Sequence, residues 1–173
     1  MSKQFSDLGI STALLQSLTQ LDLVKPTAIQ EQAIPVLLAN QTDLVGLAKT
    51  GTGKTAAFGL PILQLIDSSK DAVQAVILVP TRELGHQVFN NLEKFAQYLP
   101  QVSIAATCGG IPIKPQIERL SKPTHIVVAT PGRLIDLLQR KAINLADTQF
   151  LVLDEADEMV SILKESLDEI VAE

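Results

Sequence analysis

The chain predicts an α/β domain: a central parallel sheet with helices on both faces. Three observations carry that prediction. Short apolar runs rich in β-branched residues recur at 43–47, 75–79, 103–107, 125–129 and 150–153, and they are continuous rather than alternating. Continuous hydrophobicity means burial on both faces, as in strands of a parallel sheet. Helical patterns fill the gaps at 54–66, 81–98, 113–120 and 132–140, and strand–helix alternation builds a doubly wound sheet with right-handed crossovers. Finally, 173 residues suffice for one domain with a buried core and are too few for two ordinary ones.

Taken in order, two helices come first, over 11–21 and 27–39. The second opens on Thr27-x-x-Gln30, a capping box whose side chains satisfy the first helix donors. The helix at 54–66 follows a glycine-rich turn. Within 81–98, Leu84, Val88, Leu92 and Phe95 recur at spacings of four, four and three, giving one apolar stripe. The helix at 132–140 has Thr130 as a candidate N-cap with Pro131 at its first position. A last helical pattern covers 161–173 without a Gly or Pro terminator, and on that ground the chain is expected to be one part of a larger protein. Ligands of such sheets sit at the carboxyl ends of the strands, and each unusual residue cluster in this chain follows an expected strand.

Composition narrows the function classes. Hydrophobic residues are 46% and charged residues 19%, a globular balance. Lysine plus arginine total 14 against 19 acidic residues, net charge −5, which excludes coating nucleic acid by bulk charge and leaves room for a local basic groove. The single cysteine, Cys108, excludes an internal disulfide and a cysteine-based metal site and fits a reducing cytoplasm. No apolar run has the length of a membrane span, and the start MSKQFSDLGIS lacks the apolar core of a signal peptide. A cytoplasmic protein without membrane association is expected. With five Phe, one Tyr and no Trp, a sheet face that stacks bases is not expected.

Two clusters carry chemistry. After the run at 43–47 comes Ala48-Lys49-Thr50-Gly51-Thr52-Gly53-Lys54-Thr55 and then a helix. Gly51 and Gly53 let the backbone turn so that successive N–H groups converge on phosphate oxygens, and the helix start adds its free donors and positive dipole end. Lys54 is placed to reach β- and γ-phosphates, and the Thr55 hydroxyl to ligate Mg²⁺. The bland alternative is a glycine-rich turn that happens to carry a lysine. The second cluster, Asp154-Glu155-Ala156-Asp157, follows the run at 150–153. Alone it reads as a solvated face. Beside a phosphate loop, Asp154 suits the metal and Glu155 suits the base that activates water.

AKTGTGKT paired with DEAD resembles the DEAD-box ATP-dependent RNA helicases, and further motifs agree in order. Lys25-Pro26-Thr27-Ala28-Ile29-Gln30 resembles the family's Q motif, with Phe5 as the isolated aromatic before it. Pro80-Thr81-Arg82-Glu83-Leu84 matches motif Ia, Gly109-Gly110 the glycine doublet, and Thr130-Pro131-Gly132-Arg133 motif Ib. The resemblance covers nearly the whole chain from Phe5 to Asp157. It implies that residues 1–173 are the amino-terminal RecA-like, phosphate-loop NTPase domain, the Q motif lying within 1–40, and that a second RecA-like domain belongs to the full-length protein. It implies ATP and Mg²⁺ as cofactors, with Phe5, Lys25, Gln30, Thr50, Gly51, Thr52, Gly53, Lys54 and Thr55 at the nucleotide, Thr55 and Asp154 at the metal, and Lys54, Asp154 and Glu155 catalytic. Gln30 would read adenine, since its amide both donates and accepts; Phe5 would stack on the base or anchor the amino-terminal segment.

Pro80, Thr81, Arg82, Gly110, Thr130 and Arg133 are implied at RNA. Hydroxyls, guanidinium groups and exposed backbone N–H are partners of a sugar–phosphate backbone, so binding is expected to be sequence-independent, with 2′-hydroxyl contacts separating RNA from DNA. Their bland roles are an Arg82–Glu83 pair and helix capping. Asp157 is implied in coupling to the second domain, and the protein is expected to be a monomer that works with protein cofactors. The chain alone is expected to hydrolyse ATP poorly and not to unwind duplexes, because the second domain supplies the arginines at the γ-phosphate. Departures from the pattern are Asp22-Leu23 at the start of the Q motif, Gly85 where alanine usually continues motif Ia, and the segment after Met159. A non-catalytic RNA clamp and an unrelated phosphate-loop kinase or GTPase are the other readings; Glu155 counts against the first and Gln30 against the second.

Overall fold

A computed structural model describes residues 3–40, 42–49 and 51–163. The chain divides into two compact units, residues 1–66 with 90–102 and residues 67–89 with 103–173.

In the first unit, a 3₁₀ turn at Phe5–Leu8 precedes helices α1 (Thr12–Gln20), α2 (Ala28–Asn40) and α3 (Lys54–Leu65). Phe5, Leu8, Leu14, Leu18, Ile34 and Leu60 are buried here. The Gln64 side chain ties the amino-terminal segment to α3: its Oε1 accepts from Ser11 N–H at 2.8 Å and its Nε2 donates to the Gly9 carbonyl at 2.9 Å. The strand expected at 43–47 does not form. Residues 42–49 are irregular, with Leu44, Val45 and Leu47 exposed at 44%, 88% and 92%. Two of the five residues, Asp43 and Gly46, are poor strand formers, and three apolar side chains are a thin payload for holding such a run in a sheet.

The second unit is a four-stranded parallel sheet in the order β2-β3-β1-β4, with β1 (Ala75–Leu78), β2 (Ile104–Thr107), β3 (Ile126–Ala129) and β4 (Phe150–Leu153). α4 (Arg82–Phe95), which runs on into the first unit, α5 (Lys114–Leu120), α6 (Pro131–Gln139) and α7 (Ala156–Leu163) follow the strands. Strand positions agree with the sequence reading to within a residue. The last helix instead begins at Ala156, and most of the expected 161–173 stretch lies outside the described residues.

β1 and β3 are buried at every position. Val76, Leu78, Val127 and Ala129 share one face and pack with Leu134, Leu145 and Met159. β4, paired on one side with β1, leaves Leu151 and Leu153 exposed at 45% and 36%, so continuous hydrophobicity does not there mean burial on both faces. The amino edge of the sheet is closed by satisfied polar groups. His125, buried at 3%, accepts the Ser103 N–H on Nδ1, and the Arg119 guanidinium donates to Thr124 Oγ1, Ser103 Oγ and the Ile104 carbonyl. Among the described residues no helix is long and apolar enough to cross a membrane.

Gly85 has a packing reason that the sequence does not display. A Cβ at this position would lie 2.6 Å from Cys108 Sγ and 3.3 Å from Val79 Cγ2. Alanine in a helix interior is worth roughly 1 kcal/mol over glycine, whereas overpacking a core costs about 1–3 kcal/mol. Gly85→Ala is therefore expected to lower the melting temperature in the native sequence and to raise it in a Cys108→Ala background. A rise in both backgrounds would remove the packing explanation.

Candidate functional site

The glycine-rich loop of the first unit has the backbone that its sequence demands. Gly51 and Gly53 hold φ of +80° and +89°, and Gly53 is the N-cap of α3, with no side chain capping that helix. A helix start without a side-chain cap is the geometry in which helices receive anions. Thr52 Oγ1 donates to the Lys49 carbonyl at 2.7 Å and tightens the bend. Lys54 and Thr55 stand half-buried on the first turn of α3. Thr50 lies outside the described residues.

Gln30 is tied to this loop. It is 6% exposed; its Oε1 accepts the Thr27 N–H at 2.9 Å and its Nε2 donates to the Gly53 carbonyl at 3.0 Å. This is the Gln30 half of the expected capping box, and the amide's other end is bonded to the glycine-rich loop. A Cβ on Gly53 would collide with Gln30 Nε2, while one on Gly51 meets open space. A hollow of about 380 Å³ lies beside the loop, lined by Thr27, Ala28, Ile29, Gln32, Leu47, Ala48 and Thr52. Lys25 is exposed. Phe5 is 4% exposed, so its ring serves as the anchor of the amino-terminal turn, and stacking on a base would require it to swing outward.

In the second unit the parallel, in-register ladders bring Leu78, Thr107, Ala129 and Leu153 to one edge. The residues that follow, Pro80 to Arg82, Cys108 to Ile111, Thr130 to Arg133 and Asp154 to Asp157, therefore emerge together at the carboxyl edge. Thr81 caps α4, its Oγ1 accepting the Leu84 N–H at 3.2 Å. Thr130 occupies the N-cap of α6, yet its hydroxyl does not cap that helix; Oγ1 accepts the Gly109 N–H at 3.0 Å instead. Arg133 Nη2 donates to the Ile111 carbonyl at 2.8 Å. Gly110, with φ +78°, is exposed, and a Cβ there would stand 3.4 Å from Arg82 Nη1.

Arg82 also forms the expected pair with Glu83, at 3.1 Å between exposed side chains. The Glu83 carboxyl is drawn below its ordinary value by a hydrogen bond from its own backbone N–H and then by the Arg82 guanidinium. The pair is accordingly intact above the usual carboxylate range and is lost only as the pH falls through the lowered value. Burial pushes the Cys108 thiol up and keeps it protonated at neutral pH, against the weaker pull of the Thr130 backbone.

Asp154 continues the ladder through its N–H to the Leu78 carbonyl at 3.0 Å and is 7% exposed. Glu155 holds φ +53°, a left-handed conformation that costs a non-glycine residue of order 1 kcal/mol. Strain of this kind collects where a side chain must be aimed. Asp157 is exposed in the first turn of α7, where a negative charge meets the positive end of the helix dipole.

The family model for DEAD/DEAH box helicases matches residues 27–173, most of the chain. The chain belongs to the DEAD/DEAH box helicase family. Among its relatives, the DEAD-box ATP-dependent RNA helicase CshA of Bacillus cereus is 45% identical over 158 residues, 91% of this chain and 30% of that protein. CshA of Streptococcus pneumoniae serotype 4 is 45% identical over 159 residues, 92% of this chain and 30% of that one. The crystal structure of a DEAD box protein from the hyperthermophile Methanococcus jannaschii superposes with a TM-score of 0.89 at 35% identity, covering 99% of this chain and 47% of that one. The fold is the α/β RecA-like fold of that family. The chain spans under a third of the length of these curated relatives.

The two glycines of the loop differ in what a side chain would meet. Gly51→Ala is expected to lose only the backbone preference, about 1 kcal/mol. Gly53→Ala adds the collision with Gln30 and is expected to lose more, read as a larger drop in the urea midpoint. Equal losses would mean that Gln30 does not brace the loop.

Proposed function

We propose that this chain is the amino-terminal, ATP- and RNA-binding RecA-like domain of an ATP-dependent RNA helicase, completed in the full-length protein by a second RecA-like domain. The observation that carries the reading is the carboxyl edge of the sheet. Two hydroxyls, two guanidinium groups and the glycine doublet stand there in line with the acidic run, while the amino edge is closed by satisfied structural ties.

The loop of residues 48–55 fits a triphosphate by its two left-handed glycines and the uncapped start of α3. Thr50, Gly51, Thr52 and Gly53 would supply backbone donors, and Lys54 the charge opposite the β- and γ-phosphates. Lys25 and Gln30 would hold the nucleoside end. Gln30 Nε2 keeps a second hydrogen and Oε1 a second lone pair beyond the bonds it makes here, enough to meet an adenine edge; Phe5 would close that end of the site only by swinging out of its buried position. Mg²⁺ takes one or two protein oxygens together with phosphate oxygens, so Thr55 and Asp154 are the ligands of choice. The ion would neutralise charge developing on the transferring phosphoryl group. Glu155, aimed by its left-handed backbone, would accept the proton of the attacking water, and Asp157 would relay closure to the second domain.

RNA would lie over Pro80, Thr81, Arg82, Gly110, Thr130 and Arg133. None of these reads a base edge, so binding would be sequence-independent, with protein cofactors supplying target choice, in the cytoplasm and by a monomer. Binding should weaken steeply with salt, because a few phosphate contacts act against a net charge of −5.

In the full-length protein, Glu155→Gln is expected to retain ATP binding and to reduce RNA-stimulated hydrolysis by at least ~10²-fold, the size of general base catalysis; undiminished turnover would take Glu155 out of that role. Gln30→Ala should weaken ATP relative to GTP in competition binding. An unchanged ratio would leave Gln30 as a brace of the loop alone.

A further inference from the structure

The loop from Cys108 to Ile111, which carries the glycine doublet, is held by three side chains, one from α5 and two from the start of α6. Gln116 of α5 donates from Nε2 to the Cys108 carbonyl at 3.0 Å; Thr130 accepts the Gly109 N–H; Arg133 donates to the Ile111 carbonyl. Successive backbone groups are thus fixed, and the Gly110 and Ile111 N–H groups find no acceptor among the described residues. Two donors open to solvent are left at the exposed turn beside Arg82.

Gln116 is the member of this set that the motifs do not contain. It is buried at 5%, and its Oε1 has no partner. A buried polar atom without a partner costs free energy that an apolar side chain of the same shape would avoid, so packing alone does not explain an amide here. Thr107 Oγ1 and Arg133 Nη1 are also buried without partners. All three belong to the surroundings of this one loop, whereas Arg119 and His125 at the amino edge are hydrogen-bonded. Polar atoms kept at a cost on one edge only point to a loop held for a purpose.

We infer that Gln116 is a positioning residue for the RNA site. Its amide grips the Cys108 carbonyl and so fixes the Gly109–Gly110 turn with its free N–H groups outward, preset for phosphate oxygens of a nucleic acid strand. A loop held in its bound form binds more tightly than one that must be ordered on contact. The inference rests on the RNA reading above, and its loop-holding half can be measured without RNA.

The test uses Gln116→Met in the full-length protein. Methionine matches the length of glutamine and is at home in a core, but it offers no donor to Cys108. In the ligand-free protein, exchange of the Gly109 amide, which is bonded to Thr130, should quicken while exchange in β1 and β3 is unchanged. Affinity for a fluorescent oligouridylate should fall roughly three- to tenfold, about the factor of one hydrogen bond, with ATP affinity unaltered. Gln116→Asn, whose amide is one methylene too short to reach the carbonyl, should behave alike, and it stands in should the methionine variant fold poorly. Unchanged loop exchange in both variants would overturn the inference. A parallel loss of melting temperature, ATP affinity and oligouridylate affinity would reduce Gln116 to a structural residue and overturn it as well. Faster exchange in a protein whose native form binds no oligouridylate would support the loop-holding role and sink the RNA reading.

Discussion

Burial of β1 and β3 on both faces is the constraint from which the second unit follows. A strand with no solvated face cannot carry polar side chains along its length, and its backbone groups are consumed by the neighbouring ladders. Chemistry is then confined to the ends. At the amino edge, the polar residues are spent on structure, with Arg119 and His125 tying α5, β2 and β3 together. At the carboxyl edge the chain turns out of the sheet four times, after Leu78, Thr107, Ala129 and Leu153, and there the hydroxyls, guanidinium groups and acidic run are gathered.

Several residues at that edge serve the fold as well as the proposed site. Thr81 caps α4 through its hydroxyl. Thr130 spends its hydroxyl on the Gly109 N–H and Arg133 a nitrogen on the Ile111 carbonyl. These ties weigh differently from surface pairing. The Arg82–Glu83 contact is exposed and worth little in stability, so Arg82 is available to another anion at small cost. The Gln116 bond is buried, and losing it would strand the Cys108 carbonyl.

Much of this was legible from residue order. The strand positions of the second unit and its helices α4 to α6 follow from periodicity because apolar side chains have one place to go, whereas the last helix starts earlier than its pattern, at Ala156. The tight bend at 51–53 is legible because Gly51 and Gly53 take positive φ. What escaped reading depended on partners distant in sequence. Residues 43–47 look like a strand by apolar content, yet a run broken by Asp43 and Gly46 is a weak strand on its own account. β4 shares the continuous hydrophobicity of β1, yet alternate residues Leu151 and Leu153 are exposed, so one of its faces is open. Gly85 reads as a weak point of a helix until Cys108 is found against it. Gln116 carries no motif signal, since only the fold brings it to a carbonyl eight residues away.

The central claim is that the bend at Gly51–Gly53 and the lysine after it form a seat for a nucleoside triphosphate. Calorimetric titration of Mg²⁺–ATP into the full-length protein and its Lys54→Ala variant tests it most directly. Saturable one-site binding by the native protein, weakened by at least ~10-fold in the variant as expected for a charged hydrogen bond to phosphate, is the predicted result. Equal binding by both proteins, or none by the native one, would contradict the account.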